Sequence, residues 1–415
     1  MVIAPLFEQP RTLVDPGGNR DEPLQNRTRQ RSQTSVTTGS SSTVTDTKRS
    51  KVQRLAPSRV VPDQRRSSVP ASTTLHDVAR AAGVSVRTVS NVVNQYPFVS
   101  PATRERVLQA VTALGYQPNL TARGLRLGRT GVITLVIPDL RNAYFAELAT
   151  SVMDAAALDN VFVLIEPVGF DRDRELQVLR GPQAKMVDGI LFSALALGED
   201  DAHLIDTSIP TVLLGEQIFN APVDHVTMQN VEASRAATEH LLSIGRKRIV
   251  ALGARRGEVV GSSGLRFRGY LDALEAAGLP HDPELIGTTQ SWHRADGAAS
   301  IADLIARNIA FDGVVAFSDT LALGAMSALQ HAGLRIPEDV AIIGFDDTDE
   351  TRYSHPTLSS VDAGRDEIAS TAVTFLLDRI KNRDESLPPR RHLSKFQVIP
   401  RESTIGNVSA AHHSS

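Results

Sequence analysis

The chain has 415 residues, 41% of them apolar and 22% charged, with a net charge of −3 and no cysteine. That length accommodates two or three domains, the composition is that of a globular protein with a large core, and the lack of cysteine excludes disulfides, thiolate metal sites and cysteine nucleophiles. The charge is uneven: residues 1–130 hold 19 Lys and Arg against 8 Asp and Glu, a net +11, whereas the remainder carries −14. A basic front on an acidic body fits a protein that holds a polyanion at one end. No apolar run approaches the roughly 20 residues of a membrane span, and the first thirty residues lack the pattern of a secretion signal, so a cytoplasmic location without a membrane partner is expected.

Residues 1–71 are rich in Ser, Thr, Arg, Gln and Pro. Such a segment buries too little apolar surface to offset its ordering entropy. Two readings stand: a disordered basic tail with non-specific DNA affinity, or a stretch never made because translation starts near Val60, Val61 or Val69. Order is expected from Thr73. Leu75, Val78, Ala79 and Ala82 recur at helical spacing behind Thr74 as N-cap, with Asp77 as capping-box partner, and Gly83 ends the helix. Ser85 opens a second helix whose inner face is Val89, Val92 and Val93. Ser100 and Pro101 open a third, carrying Val107, Leu108, Val111 and Leu114 inward until Gly115.

A helix, a tight glycine turn and a second helix with a polar start form the geometry that lays a recognition helix in a major groove. With the three valines inward, Val86, Arg87, Ser90 and Asn91 face outward. Arg87 suits a guanine edge, Asn91 an adenine edge, Val86 a thymine methyl and Ser90 a phosphate. Thr74, Ser85, Thr88 and Asn94 belong to the same expected DNA surface.

From Gly131 the pattern changes to Val, Ile and Leu runs alternating with helical stretches such as Phe145–Leu158 and Ala233–Ile244. Strands are expected at Val132–Ile137, Val161–Ile165, Gly189–Phe192, Thr211–Leu214, Arg248–Leu252, Gly313–Phe317 and Val340–Gly344. Continuous apolar runs of this kind mark strands buried on both faces of a parallel α/β sheet. Nothing here calls for catalysis or a cofactor. Adjacent Asp346 and Asp347 point apart, the glycines of Gly261–Gly264 lack the spacing of a phosphate loop, and His412 and His413 have no third metal ligand.

The segment Thr74–Asn94, TLHDVARAAGVSVRTVSNVVN, followed by VSPATRERVLQAVTALGYQPN to Asn119, resembles the headpiece of the LacI/GalR (lactose and galactose repressor) family, and the resemblance runs through the body to about residue 402. It implies a three-helix headpiece at 72–117, a hinge at 118–130, and a two-lobed periplasmic-binding-protein type I α/β domain at 131–402 before a disordered tail at 403–415. Asn119, Ala122, Arg123 and Leu125 would then belong to a hinge helix in the minor groove, Leu125 wedging between base pairs. Partners implied are a palindromic operator, a second copy of the chain and a small-molecule effector, a saccharide. Ligands of open α/β sheets collect at the carboxyl ends of strands. Asn142, Tyr144, Phe145, Arg266, Ser318, Asp319 and Asp346 fall at such ends, and by resemblance Arg266 and Asp346 hold polar ligand groups while Trp292 and Tyr144 stack on a flat face. Val86, Asn91 and Ala143 depart from residues common in the family. The rival readings are a ligand-binding protein of the periplasmic kind without DNA function and an α/β enzyme with an attached DNA domain.

Overall fold

The computed structural model describes residues 73–93, 96–116, 129–205, 208–255, 257–289, 291–383, 385 and 387–406. Three helices form the N-terminal bundle: α1 (Leu75–Ala82), α2 (Val86–Val93) and α3 (Pro101–Ala113). The capping box on α1 is made as expected, with Thr74 Oγ1 accepting from the Asp77 amide and the Thr74 amide donating to Asp77 Oδ2, and Gly83 closes the helix at φ +62°. Val78, Val89, Val92 and Val107 are buried at the centre, and Tyr116 closes the cluster. On α3 the inward face is Val107 and Ala110. Leu108 and Leu114, expected inside, are 48% and 38% exposed: Leu108 is turned about 100° from Val107 round the helix, and Leu114 is the C-cap beyond the last turn of α3.

The body contains β1 (Val132–Ile137), α4 (Ala143–Ala157), β2 (Phe162–Pro167), α5 (Arg172–Arg180), β3 (Gly189–Ser193), β4 (Thr211–Leu214), β5 (Asp224–Met228), α6 (Asn230–Ser243), β6 (Ile249–Ala254), α7 (Gly261–Ala276), β7 (Ile286–Thr288), α8 (Arg294–Ala306), β8 (Gly313–Ala316), α9 (Asp319–His331), β9 (Ala341–Ile343), β10 (Ser360–Asp362), α10 (Arg365–Lys381), β11 (Arg391–Ser394), β12 (Gln397–Ile399) and α11 (Glu402–Ile405). Two parallel sheets define two lobes, in the orders β11-β5-β4-β3-β1-β2 and β7-β6-β8-β9. The antiparallel pair β10–β12 joins the second lobe through the Ile343–Ser359 bridge. Neighbouring helices pack closely on one another: a Cβ on Gly269 of α7 would lie 2.1 Å from the Val231 carbonyl oxygen of α6.

The chain crosses between lobes three times, at Met228–Asn230, Asp362–Arg365 and Ser394–Gln397. The crossings are laced together. Gln229 Nε2 donates to the Ser394 carbonyl at 2.9 Å, and Ser394 Oγ donates to the Ala363 carbonyl at 2.6 Å. In the first lobe, Asp224 is fully buried at the start of β5 and accepts from Arg379 of α10 and Arg390 beside β11 at 2.6 and 2.7 Å. Burial alone would raise this carboxyl, but those hydrogen bonds hold it below the ordinary carboxylate range. Ser403 and Thr404, assigned from sequence to a disordered tail, are buried. Ser403 Oγ donates to the Ile342 carbonyl at 2.6 Å, so the C-terminal turn is part of the second lobe.

Candidate functional site

On the headpiece, Ser85 caps α2, its Oγ accepting from the Thr88 amide at 3.1 Å. Arg87 is exposed, and Ser90 and Asn91 are half-buried. Arg87 and Asn91 lie four residues apart and so share one helix face. Val86 differs from expectation: it is half-buried and packs on the Val78–Val89 core, because the first turn of α2 leans on α1. Thr74 is exposed but its hydroxyl donates to Asp77 at 2.7 Å. Asn94, Asn119, Ala122, Arg123 and Leu125 lie outside the described residues.

Between the lobes, loops at the carboxyl ends of β1, β3, β4, β6 and β9 converge on one cleft. Six of the eight residues expected at a ligand site line it: Asn142, Tyr144, Phe145, Arg266, Trp292 and Asp346. Arg266, 3% exposed on α7, is fixed from several sides. Its Nε donates to Asn230 Oδ1 at 2.7 Å, its Nη1 to the Phe317 carbonyl and its Nη2 to Met228 Sδ at 3.2 Å. The guanidinium stands 3.6 Å from the Phe345 ring centroid and 5.4 Å from that of Trp292. Trp292 is held in turn, its indole N–H donating to the Gly253 carbonyl at 3.2 Å. Gly253 has φ +110° and no room for a side chain beside Leu321, so the backbone there can approach the indole only as glycine.

Asp346, at φ +111° and 5% exposed, faces Arg266 at 3.8 Å. Burial pushes its carboxyl up to about 7, against the pull of the Arg266 and Arg365 guanidiniums. The folded state therefore holds a proton that the unfolded chain releases near 3.8. A raised carboxyl contributes stability at low pH and loses it as pH rises through the folded value. Asp346→Asn is thus expected to flatten the decline in stability between pH 4 and 7, measured by urea unfolding at three pH values. A slope equal to the wild type's would sink this assignment.

Ser318 and Asp319, expected at the ligand site, do not line the cleft. Ser318 is the N-cap of α9, accepting from the Leu321 amide, and Asp319 is wholly buried beneath the Asp346 loop. Asp319 accepts from Ser360 Oγ at 2.6 Å and from the Thr348 amide at 2.8 Å. Burial pushes its carboxyl well above the usual range. Gly344 lets the loop after β9 close over this strand end, a Cβ there falling 2.2 Å from Asp319 Oδ1.

Residues 74–119 match the model for bacterial regulatory proteins of the lacI family, and residues 238–404 match that for a periplasmic binding protein-like domain. The chain is 31% identical over 335 residues to the HTH-type transcriptional regulator RegA of Clostridium saccharobutylicum, spanning 80% of this chain and 100% of that one. The chain belongs to the lacI family. A LacI-family transcriptional regulator from Sanguibacter keddieii DSM 10542 superposes with a TM-score of 0.63 at 44% identity, over 67% of this chain and all of that one. The complex of the transcriptional regulator CelR with cellobiose gives 0.59 at 29% identity, over 80% of this chain and 99% of the other. Membership sets aside both rival readings, the enzyme and the carrier without DNA function.

This LacI-family cleft has polar residues that the sequence did not single out. Asp139, Glu216, Arg255, Glu258, Ser262 and His293 all line it. Glu175 supports the wall from behind, its buried carboxylate accepting from the amides of Leu195, Ala196 and Leu197. Position at the carboxyl end of the Thr211–Leu214 strand was the available signal for Glu216. Among the described residues no helix is long and apolar enough to cross a membrane.

Proposed function

We propose that the chain is a cytoplasmic, homodimeric, sequence-specific transcriptional repressor whose operator affinity is set by a saccharide bound between the lobes. The observation that carries this is the pairing, in one chain, of a helix-turn-helix bundle offering Arg87 and Asn91 with a cleft in which Arg266, Asp346 and Trp292 converge. Residues 72–117 read the major groove, 118–130 form the hinge with Asn119, Ala122, Arg123 and Leu125 at the minor groove, and the body from 131 senses the ligand. Thr74, Ser85, Thr88, Ser90 and Asn94 hold backbone phosphates around the two base-reading side chains. The cellobiose complex of a relative supports a saccharide. Dimerisation by the body is supported by an apolar face on α4 and the edge strand β2: Met153, Leu158, Phe162 and Leu164 are 40%, 86%, 61% and 55% exposed. A patch of that kind marks a protein interface, and two headpieces suit a palindrome.

The ligand acts by preferring one angle between the lobes, which changes the spacing of the two hinges; reciprocally, operator DNA alters ligand affinity by the same factor. The test is anisotropy of a labelled fragment from beside this protein's own gene. Specific reading appears as a complex that random duplex cannot displace and whose log affinity falls steeply with log salt. Arg87→Ala is expected to cost about 1–3 kcal/mol and relax discrimination at one base pair. Binding that weakens equally on all sequences would reassign Arg87 to a phosphate.

A further inference from the structure

Among the described residues the cleft lining holds two arginines, and both make contacts within the protein, although Arg255 Nε is buried without a hydrogen-bond partner. Arg266 is spent on Asn230, Phe317, Met228 and Asp346. Arg255 pairs with Glu258 at 3.4 Å and lies between the rings of Phe170 and Trp292, 5.5 and 5.7 Å from their centroids. Four carboxyls line the same space: Asp139, Glu216, Glu258 and Asp346. His293, the other basic side chain of the lining among the described residues, sits 3.5 Å from Asp139.

The first turn of α7 is where an anion would ordinarily be received, since the amides of a helix N-terminus and its dipole both favour negative charge. The N-cap Val260 supplies no side-chain acceptor to this 16-residue helix. Instead, Glu216 reaches across from the first lobe. Its carboxylate accepts from Ser262 Oγ at 2.6 Å and from Thr227 Oγ1 at 2.8 Å, and its carbonyl accepts from the Gly261 amide at 3.1 Å. Glu216 is 5% exposed, and Glu258 stands on the other side of the same turn, its Oε1 within 2.5 Å of where a Cβ on Gly261 would lie. The place and the electrostatic complement for an anionic group are thus both taken by the protein's own carboxylates.

We infer that Glu216 fixes the charge class of the effector: the cleft takes an uncharged polyhydroxyl compound and excludes its phosphorylated or carboxylated counterpart. This rests on the cleft being the effector site. A neutral sugar offers hydroxyl protons to the carboxylates, whereas a phosphate brings a like charge beside Glu216 and Glu258 in a largely desolvated space.

The experiment is calorimetric titration of the full chain with inorganic phosphate, gluconate and glucose 6-phosphate, comparing wild type with Glu216→Gln and Glu258→Gln. Glutamine keeps the shape and an accepting oxygen but removes the charge, and thermal unfolding reports whether each variant is folded. Affinity for at least one anion is expected to rise tenfold or more in Glu216→Gln, with a smaller rise in the more peripheral Glu258→Gln. Affinities that stay below a tenfold gain for all three anions in both variants overturn the inference, as does submillimolar binding of any of them by the wild type. Failure of the regulator reading shows separately, as absence of specific DNA binding by the same wild-type preparation.

Discussion

Asp224→Ala is expected to lower folding stability by about 2–4 kcal/mol, the cost of removing a fully buried carboxylate from the half-buried Arg379 and Arg390 that are hydrogen-bonded to it. Two guanidiniums, Arg379 and Arg390, point at this one buried carboxylate, and the Arg390 amide donates to it as well at 2.7 Å. Removing it takes away the side-chain tie between the start of β5 and Arg390, the residue that leads into β11, and leaves the backbone pairing of β11 with β5 at four positions. Urea unfolding of wild type and variant at pH 7 measures the loss, and a change below about 1 kcal/mol would show the cluster to be ornamental. The wild type carries a second signature. Because the Asp224 carboxyl is lowered by its partners, its contribution is present above the unfolded value and fades as pH falls, opposite in sign to that of Asp346.

Arg266→Ala is expected to abolish the effector response and cost about 2–4 kcal/mol of stability, since it leaves Asn230, the Phe317 carbonyl and Asp346 buried without a partner. Arg266 differs from Asp224 in tying the lobe crossing to the second lobe, with Met228 and Asn230 at the first crossing and Phe317 in the second lobe. Arg266→Lys should not rescue it, because one ammonium cannot reproduce a planar fork aimed in three directions. The readouts are Trp292 fluorescence with a saccharide that binds the wild type, and operator anisotropy with and without that saccharide. A variant that is folded and still responds would remove Arg266 from the ligand site.

The sequence made the apolar framework visible and hid the polar one. Strands such as Ile249–Ala254 and Gly189–Ser193 lie buried between helices and read as unbroken aliphatic runs. Strand Asp224–Met228 is equally buried but begins Asp-His; its polar residues are matched by Arg379, Arg390 and the Gly215 carbonyl, partners distant in the chain. Strand Arg391–Ser394 is an exposed edge whose identity comes only from β5. The same limit applied to the cleft. Asp346 was legible from its position after a strand and Arg266 from the GLRFRGY helix it opens, both with the help of the family resemblance, while Ser318 and Asp319, placed by the strand-end rule, are the cap and the support of the next loop. Glu216 meets Ser262 across the lobes, and no local pattern encodes which side chains from separate lobes will face each other.

Lacing the three crossings through Gln229, Ala363 and Ser394 has a mechanical consequence. Three cords tied at one place favour turning of one lobe about that tie over sliding of one face along the other. A ligand that draws the two walls of the cleft together is therefore expected to act chiefly by rotation about these crossings.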